Sequence, residues 1–144
     1  MSIFTEEEQQ LIREAVERAE KNTSGEIRVC VEKNCSEEVL DRAAKYFYQL
    51  DMEKTKARNG VLVYVATVDR KFAIIGDAGI NSVVPDDFWD STKEAMLNEF
   101  KVGNLVEGIV TGCTLAGEQL KKYFPHQSGD TNELSDDVAF MDGE

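Results

Sequence analysis

Two apolar, β-branched runs joined by a short turn constrain this chain more than any other feature. Val61–Val65 and Phe72–Ile75 flank the sequence Val-Asp-Arg-Lys at 68–71, a pattern that predicts an antiparallel β-hairpin. The hairpin leads into a Gly-Asp-Ala-Gly loop at 76–79, so flexible backbone and the carboxylate of Asp77 meet where a strand passes into a helix. Because open α/β sheets commonly bind ligands at such corners, the sequence predicts a site here.

The segment before the hairpin predicts a parallel crossover. A capping box at Thr5 and Glu8 predicts a first helix that ends near Lys21, and the alternating residues 27–32 predict a strand. A second helix, capped by Ser36, then connects this strand to the first strand of the hairpin. A strand, helix, strand connection of this length favours a right-handed parallel pair.

Two further helices are predicted after the hairpin. Pro85 suits the first position of a helix, which would place Asp86 and Asp87 in its first turn. A last helix begins near Leu105 and carries several glycines, for which close packing against the sheet is a better explanation than ligand binding. These glycines are Gly103, Gly108, Gly112 and Gly117.

The length and the order of these elements predict one domain. The chain has 144 residues, which suits a single α/β domain with a small mixed sheet, made of a parallel crossover and an antiparallel hairpin, flanked by helices as α/β/α layers over residues 1–125. Residues 126–144 are acidic and without a sustained period, and are predicted to be a disordered tail. A short docking motif formed by Val138, Phe140 and Met141 is the less favoured interpretation of this segment.

The net charge of the chain favours some classes of binding partner over others. With 16 Lys plus Arg against 28 Asp plus Glu, the formal net charge is −12, so nucleic acid is a poor partner, whereas cations and proteins with a basic surface are better ones. No run approaches the ~18 apolar residues of a membrane span, so direct membrane insertion is not expected, and the N-terminus lacks the pattern of a secretion signal. We therefore expect a cytoplasmic protein whose three cysteines are reduced thiols.

Several short motifs, taken together, resemble the TPM domain family. The resemblance runs from about Phe4 to Tyr123 and implies a compact layered α/β fold. The motifs are Ser24–Val29, Arg58–Ala66, Asp69–Lys71, Ile74–Ile80, the position of Asp86, and Phe100–Gly108.

The resemblance also implies a range of activities. Some plant members of the family are described as acid phosphatases, others bind divalent cations at an acidic cleft, and several serve the assembly or repair of membrane complexes. Typical bacterial members carry a signal peptide and a membrane anchor, neither of which is expected from the residues of this sequence. The family loop often reads Gly-x-Gly, so Asp77 adds a carboxylate that other members lack.

The carboxylates near the hairpin exit predict a weak Ca²⁺ or Mg²⁺ site. Asp77, Asp86 and Asp87 are the candidate ligands, and Asp90 follows Asp86 by four residues on the same helical face. The alternative for the two carboxylates after Pro85 is stabilisation of a helix dipole without any ligand. The sequence leaves both interpretations open.

Phosphatase chemistry has little support from the residues themselves. No usual nucleophile motif is present, and the sole histidine, His126, lies at the edge of the tail. A metal-activated water, with Arg58 or Arg70 holding the phosphate, would be required. The preferred function is therefore a binding or assembly module with a weak cation site. The alternatives are a metal-dependent phosphatase and a purely structural interaction domain.

Overall fold

The chain folds as alternating helices and strands in a computed structural model that describes residues 3–126 and 134–142. The described elements are α1 (Glu6–Glu20), β1 (Glu26–Glu32), α2 (Val39–Gln49), β2 (Gly60–Ala66), β3 (Lys71–Gly76), α3 (Ala78–Asn81), α4 (Asp90–Lys101), α5 (Leu105–Leu120) and β4 (Ala139–Phe140). The capping box predicted at the start of α1 is present, since Thr5 and Glu8 exchange both of its hydrogen bonds.

The sheet is mixed and has the order β3-β2-β1-β4. Strands β1 and β2 are parallel, with Ile27 opposite Val61, whereas β2 and β3 are antiparallel, with Val61 opposite Gly76. The predicted hairpin and the predicted parallel pairing of β1 and β2 are both confirmed. Because β3 runs antiparallel to β2, the loop that follows β3 lies at the end of the sheet where β1 and β2 begin.

Alternate side chains of the strands build a separate core on each face of the sheet. Val29 and Val63 belong to the larger cluster, together with residues of α1 and α5. Leu62 and Tyr64 belong to the smaller cluster, together with residues of α2. Because side chains alternate between faces along a strand, neighbouring residues of β2 supply both cores. The predicted arrangement of a sheet between helices is confirmed.

The glycines of α5 let this helix approach other helices rather than the sheet. A Cβ atom at Gly112 would lie 2.5 Å from Sδ of Met96 in α4, and one at Gly117 would lie 2.8 Å from Cβ of Ala19 in α1. The glycines serve close packing, as predicted, but they pack against helices rather than against the sheet, because α5 lies between α1 and α4.

Helix α4 begins later than the sequence predicts. Residues 85–89 form turns, with Phe88 N–H donating to the carbonyl of Pro85 (3.1 Å) and Asp90 N–H to that of Asp87 (3.0 Å). The prediction that Asp86 and Asp87 occupy the first turn of a helix is therefore wrong. The fixed φ of proline suits the start of a turn as well as that of an α-helix, so its position alone does not locate the helix start.

The C-terminal segment 134–142 is ordered, contrary to the prediction of a disordered tail from residue 126. Ala139–Phe140 pair in parallel with β1, and Met141 N–H donates to the carbonyl of Val31 (2.9 Å). Val138 and Phe140 pack on one core and Ala139 on the other. The local composition is acidic, but the backbone of this segment pairs with the free edge of β1, and its alternating apolar side chains add to the two cores. Residues 127–133 and 143–144 lie outside the described residues.

Two smaller expectations can be compared with the structure. Within the described residues, no helix is both long enough and apolar enough to cross a membrane. Cys30, Cys35 and Cys113 are buried and form no disulfide, as predicted.

We predict that Phe140→Ala lowers the free energy of unfolding by about 1–3 kcal/mol, because the half-buried ring packs on Phe4 with the centroids 6.2 Å apart. Urea denaturation measures this loss, and Phe140→Leu is the matched control that keeps most of the apolar contact. An unchanged unfolding midpoint for Phe140→Ala would show that the segment contributes nothing to the fold.

Candidate functional site

Asp77, the central residue of the predicted site, is held in an ion pair. Its side chain is buried, and it accepts hydrogen bonds from Nε (2.6 Å) and Nη2 (2.8 Å) of Arg58. The same carboxylate caps α3 by accepting the N–H of Ala78 at 2.7 Å. Both oxygens of Asp77 are thus engaged within the protein, and an arginine already neutralises its charge.

The backbone at this corner is tightly constrained. The N–H of Gly79 donates to the carbonyl of Arg58 (2.9 Å), and a Cβ atom at Gly79 would lie 2.3 Å from the carbonyl oxygen of Ala57. Arg58 itself has a left-handed φ of 51°. The glycine therefore serves the close approach of two chain segments, which brings the guanidinium of Arg58 onto Asp77.

The other predicted ligands remain at the surface. Asp86, Asp87 and Asp90 are exposed, and Asp90 lies 3.8 Å from Nζ of Lys93. Over residues 3–126 and 134–142, no group of three or more His, Cys, Asp or Glu side chains is placed so that it could hold a metal ion. The predicted ligand set thus consists of one buried, paired carboxylate and three solvated ones.

A second acidic cluster, which the sequence did not predict, lies where β1 begins. Glu20 is the last residue of α1, and its Oε2 accepts the N–H of Ile27 at 2.9 Å. Glu26 is the first residue of β1, is 5% exposed, and accepts the N–H of Leu134 through Oε1 at 2.8 Å. Asp136 approaches the carboxyl group of Glu20 from the C-terminal segment. We call Glu20, Glu26 and Asp136 the carboxylate cluster.

The electrostatics of the carboxylate cluster are unfavourable for three negative charges. Burial first, then the hydrogen bond with Asp136 and the charges of Asp136 and Glu26, together raise the pKa of Glu20 to about 10, against the opposing effect of the Ile27 N–H. Two carboxyl groups hydrogen-bond to each other only when one carries a proton. At neutral pH, therefore, Glu20 is protonated in the folded protein.

Sequence reasoning missed the carboxylate cluster because its members lie in three separate parts of the chain. Glu20 reads as an ordinary polar residue of an amphipathic helix, and Asp136 as part of an acidic tail. The one available signal is Glu26, a charged residue directly before the alternating residues that predict a strand. Only the pairing of β4 with β1 brings Asp136 near the other two.

The opposite end of β1 carries a buried carboxylate that is fully paired. Glu32, which is 2% exposed, accepts hydrogen bonds from Nε and Nη2 of Arg42 (both 2.9 Å), from Tyr46 Oη (2.7 Å) and from Tyr64 Oη. Burial raises the pKa of Glu32, but the hydrogen bonds from Arg42 and the two tyrosines outweigh it and leave the pKa below its usual value. Glu32 therefore anchors α2 to the sheet as a charged residue.

The two arginines considered for phosphate binding are far apart. Arg58 precedes β2 and is paired with Asp77, whereas Arg70 lies in the turn that follows β2, with a left-handed φ of 56°. A seven-residue strand separates them, which corresponds to about 23 Å at the usual rise per residue. The two guanidinium groups cannot hold the same phosphate.

Comparison with known proteins identifies the family. The model of the TPM domain matches residues 1–119, so this chain belongs to the TPM domain family, as the sequence motifs suggested. No functionally curated protein matches the sequence.

Solved structures resemble this chain over most of its length. The BA42 protein of the psychrophilic bacterium Bizionia argentinensis, determined by NMR, is 49% identical over 96% of each chain, with a TM-score of 0.91. The N-terminal domain of a P. gingivalis protein is 18% identical over 88% of this chain and 83% of that chain, with a TM-score of 0.70. The N-terminal domain of a Corynebacterium glutamicum protein is 11% identical over 90% and 79%, with a TM-score of 0.65. The last two comparisons support the fold alone.

We predict that Glu32→Ala lowers the free energy of unfolding by about 3–5 kcal/mol, because the substitution leaves Arg42 and the buried hydroxyl of Tyr64 without their shared acceptor. Chemical denaturation measures the loss. Glu38→Ala is the matched control, since Glu38 is exposed and makes no capping hydrogen bond. Equal losses in the two variants would contradict the anchoring role of Glu32.

We predict that, with a chelator present, the free energy of unfolding falls as the pH rises between about 6 and 9, by at most about 1.4 kcal/mol per pH unit from Glu20. The folded protein retains a proton on Glu20 up to its raised pKa, whereas the unfolded chain loses it near the ordinary value of 4.5. Glu20→Gln removes this contribution, and Glu17→Gln, in the exposed part of the same helix, does not. Identical pH slopes for native protein and Glu20→Gln would show that Glu20 carries no extra proton.

Proposed function

We propose that this TPM domain is a non-enzymatic binding and assembly module in which a weakly bound divalent cation at Glu20, Glu26 and Asp136 secures the C-terminal segment against β1. The observation that supports it is the meeting of three carboxylates, from α1, β1 and segment 134–142, at one partly buried place. A cation there would join parts of the chain that are distant in sequence.

The chemistry of the carboxylate cluster suits exchange of a proton for a cation. Glu20 and Asp136 share a hydrogen bond that requires a proton, and a divalent ion neutralises both groups when the proton leaves. Oxygen ligands from three separate elements form an irregular set, which Ca²⁺ accepts more readily than Mg²⁺. As the side chains stand, no group of three among the described residues could hold a metal ion, so binding requires Glu20, Glu26 and Asp136 to move closer together, with water completing the shell. Both features favour weak binding, with Ca²⁺ preferred.

The cation would strengthen contacts that already hold the C-terminal segment. Asp137 forms an ion pair with Arg13 of α1, and Asp142 accepts the N–H of Lys33 at 2.8 Å. A bound ion therefore stabilises an acidic surface built from α1 and the C-terminal segment. A protein with a basic surface is the partner that such a surface would attract.

The corner at Asp77 is the place where the sequence predicts a cation. There Asp77 is already paired with Arg58, so an ion would have to displace the exposed guanidinium group of Arg58 or rely on Asp86, Asp87 and Asp90 alone. Among the described residues no arginine pairs with Glu20, whose proton an ion can replace. For this reason we favour the cluster.

Metal-dependent phosphatase activity is not favoured. Arg58 is engaged by Asp77, and Arg70 lies at the far end of β2 from the carboxylate cluster. A phosphate bound beside the proposed cation would therefore lack positive charge from either arginine, which phosphoryl transfer needs.

We predict that Ca²⁺ perturbs amide NMR signals of residues 20–27 and 134–137 and raises the thermal unfolding midpoint, with a larger effect than Mg²⁺. Because the ion displaces the proton of Glu20, calorimetry in buffers of different ionisation enthalpy should detect release of up to about one proton per ion. For the same reason, the affinity for Ca²⁺ should increase with pH. The double variant Glu20→Gln, Asp136→Asn should lose both responses.

The matched control is Asp86→Asn, Asp87→Asn, which also removes two carboxylates but leaves the carboxylate cluster intact. Unchanged Ca²⁺ binding in this variant supports the proposal. Perturbations confined to residues 76–90, and lost in this variant, would assign the cation to the corner at Asp77 instead. A uniform response along the chain would indicate ionic screening and would exclude both sites.

A further inference from the structure

A groove of about 460 Å³ opens where β2 ends and α4 meets α5. Its apolar wall is made of four large side chains, Phe72, Leu97, Phe100 and Leu105. The rings of Phe72 and Phe100 meet edge to face, 5.1 Å between centroids, and Leu97 is 40% exposed. The volume is in the range of pockets that bind small molecules.

The rim of the groove is basic although the protein is acidic. Arg70, Lys71 and Lys101 line it, and no Asp or Glu is among its described lining residues, whereas the whole chain has 28 acidic and 16 basic residues. Nζ of Lys71 donates to the carbonyl of Cys35 at 3.0 Å. Arg70 and Lys101 are exposed and form no ion pair with any residue of 3–126 or 134–142. Two cationic groups are therefore available to a ligand.

The start of α5 adds to the positive potential of the groove. Gly103 and Leu105 line it, so the N-terminus of this 16-residue helix lies at the groove. The side chain of Asn104 does not cap α5, because its Nδ2 donates to Glu99 at 3.2 Å instead. The N-cap side chain thus accepts none of the first N–H groups of α5, and the helix dipole favours an anion.

We propose that this groove binds a small amphipathic anion, with an apolar body against Phe72, Leu97 and Phe100 and one carboxylate or phosphate group near Arg70 and Lys101. The basic rim is complementary in charge to an anionic group of the ligand, and the apolar wall buries the apolar body of the ligand. The groove lies at the ends of β1 and β2 opposite to the carboxylate cluster, so this proposal is independent of the proposed cation site.

The test is an NMR titration with octanoate and octyl phosphate, beside octan-1-ol and octylamine as probes of the same chain length. We expect the two anions to perturb residues 65–72 and 97–105 and to bind at least about tenfold more tightly than the alcohol or the amine. Arg70→Gln, Lys101→Gln should weaken binding of the anions about tenfold. Lys54→Gln, Lys93→Gln removes the same charge from exposed positions outside the groove and should leave the affinity unchanged.

Each other outcome overturns the proposal. Equal affinity for octanoate and octan-1-ol would show that the basic rim selects nothing. An equal loss in both double variants would reduce the effect to net charge, and perturbations outside the groove, or none, would remove the site. The substituted side chains are exposed, and thermal unfolding checks that both double variants remain folded.

Discussion

Strand β1 is the element on which the rest of this structure depends. It lies between β2 and β4 with helices on both faces, so its two buried carboxyl groups, on Glu26 and Glu32, need partners inside the protein. Glu32, at its end, meets one arginine and two tyrosines and stays charged. Glu26, at its start, lies beside Glu20 and Asp136, and the local charge is reduced by a proton on Glu20. Buried negative charge is thus compensated by an arginine and two tyrosines at one end of β1 and by a proton at the other.

The two ends of the sheet consequently have opposite character. Carboxylates gather where β1 and β2 begin, and the groove rimmed by Arg70 and Lys101 opens where β2 ends. The seven residues of β2 correspond to about 23 Å, which exceeds the screening length of about 8 Å at physiological ionic strength. A small domain can therefore present an acidic site and a basic site without one neutralising the other.

Prediction from the sequence succeeded where a local pattern has one structural solution. The two β-branched runs could form only a hairpin, and the capping box at Thr5 located the start of α1. It failed where two structures share a pattern. Pro85 begins a turn rather than α4, and the acidic residues that follow it are solvated. The C-terminal segment has low overall hydrophobicity, so the alternation of Val138 and Phe140 is a weak signal for a strand. These two side chains can be buried only because β1, far away in the sequence, has a free edge with which the segment pairs.

By itself, the sequence determined the family, the order of most elements and the two apolar faces of the sheet, because these follow from periodicity over neighbouring residues. The tertiary structure alone decided which charges meet. Asp77 was predicted as a ligand, yet the fold gives its oxygens to Arg58. Asp136 seemed to belong to a tail, yet the fold brings it to Glu20. Electrostatic energy depends on distance in space, and a sequence records only distance along the chain.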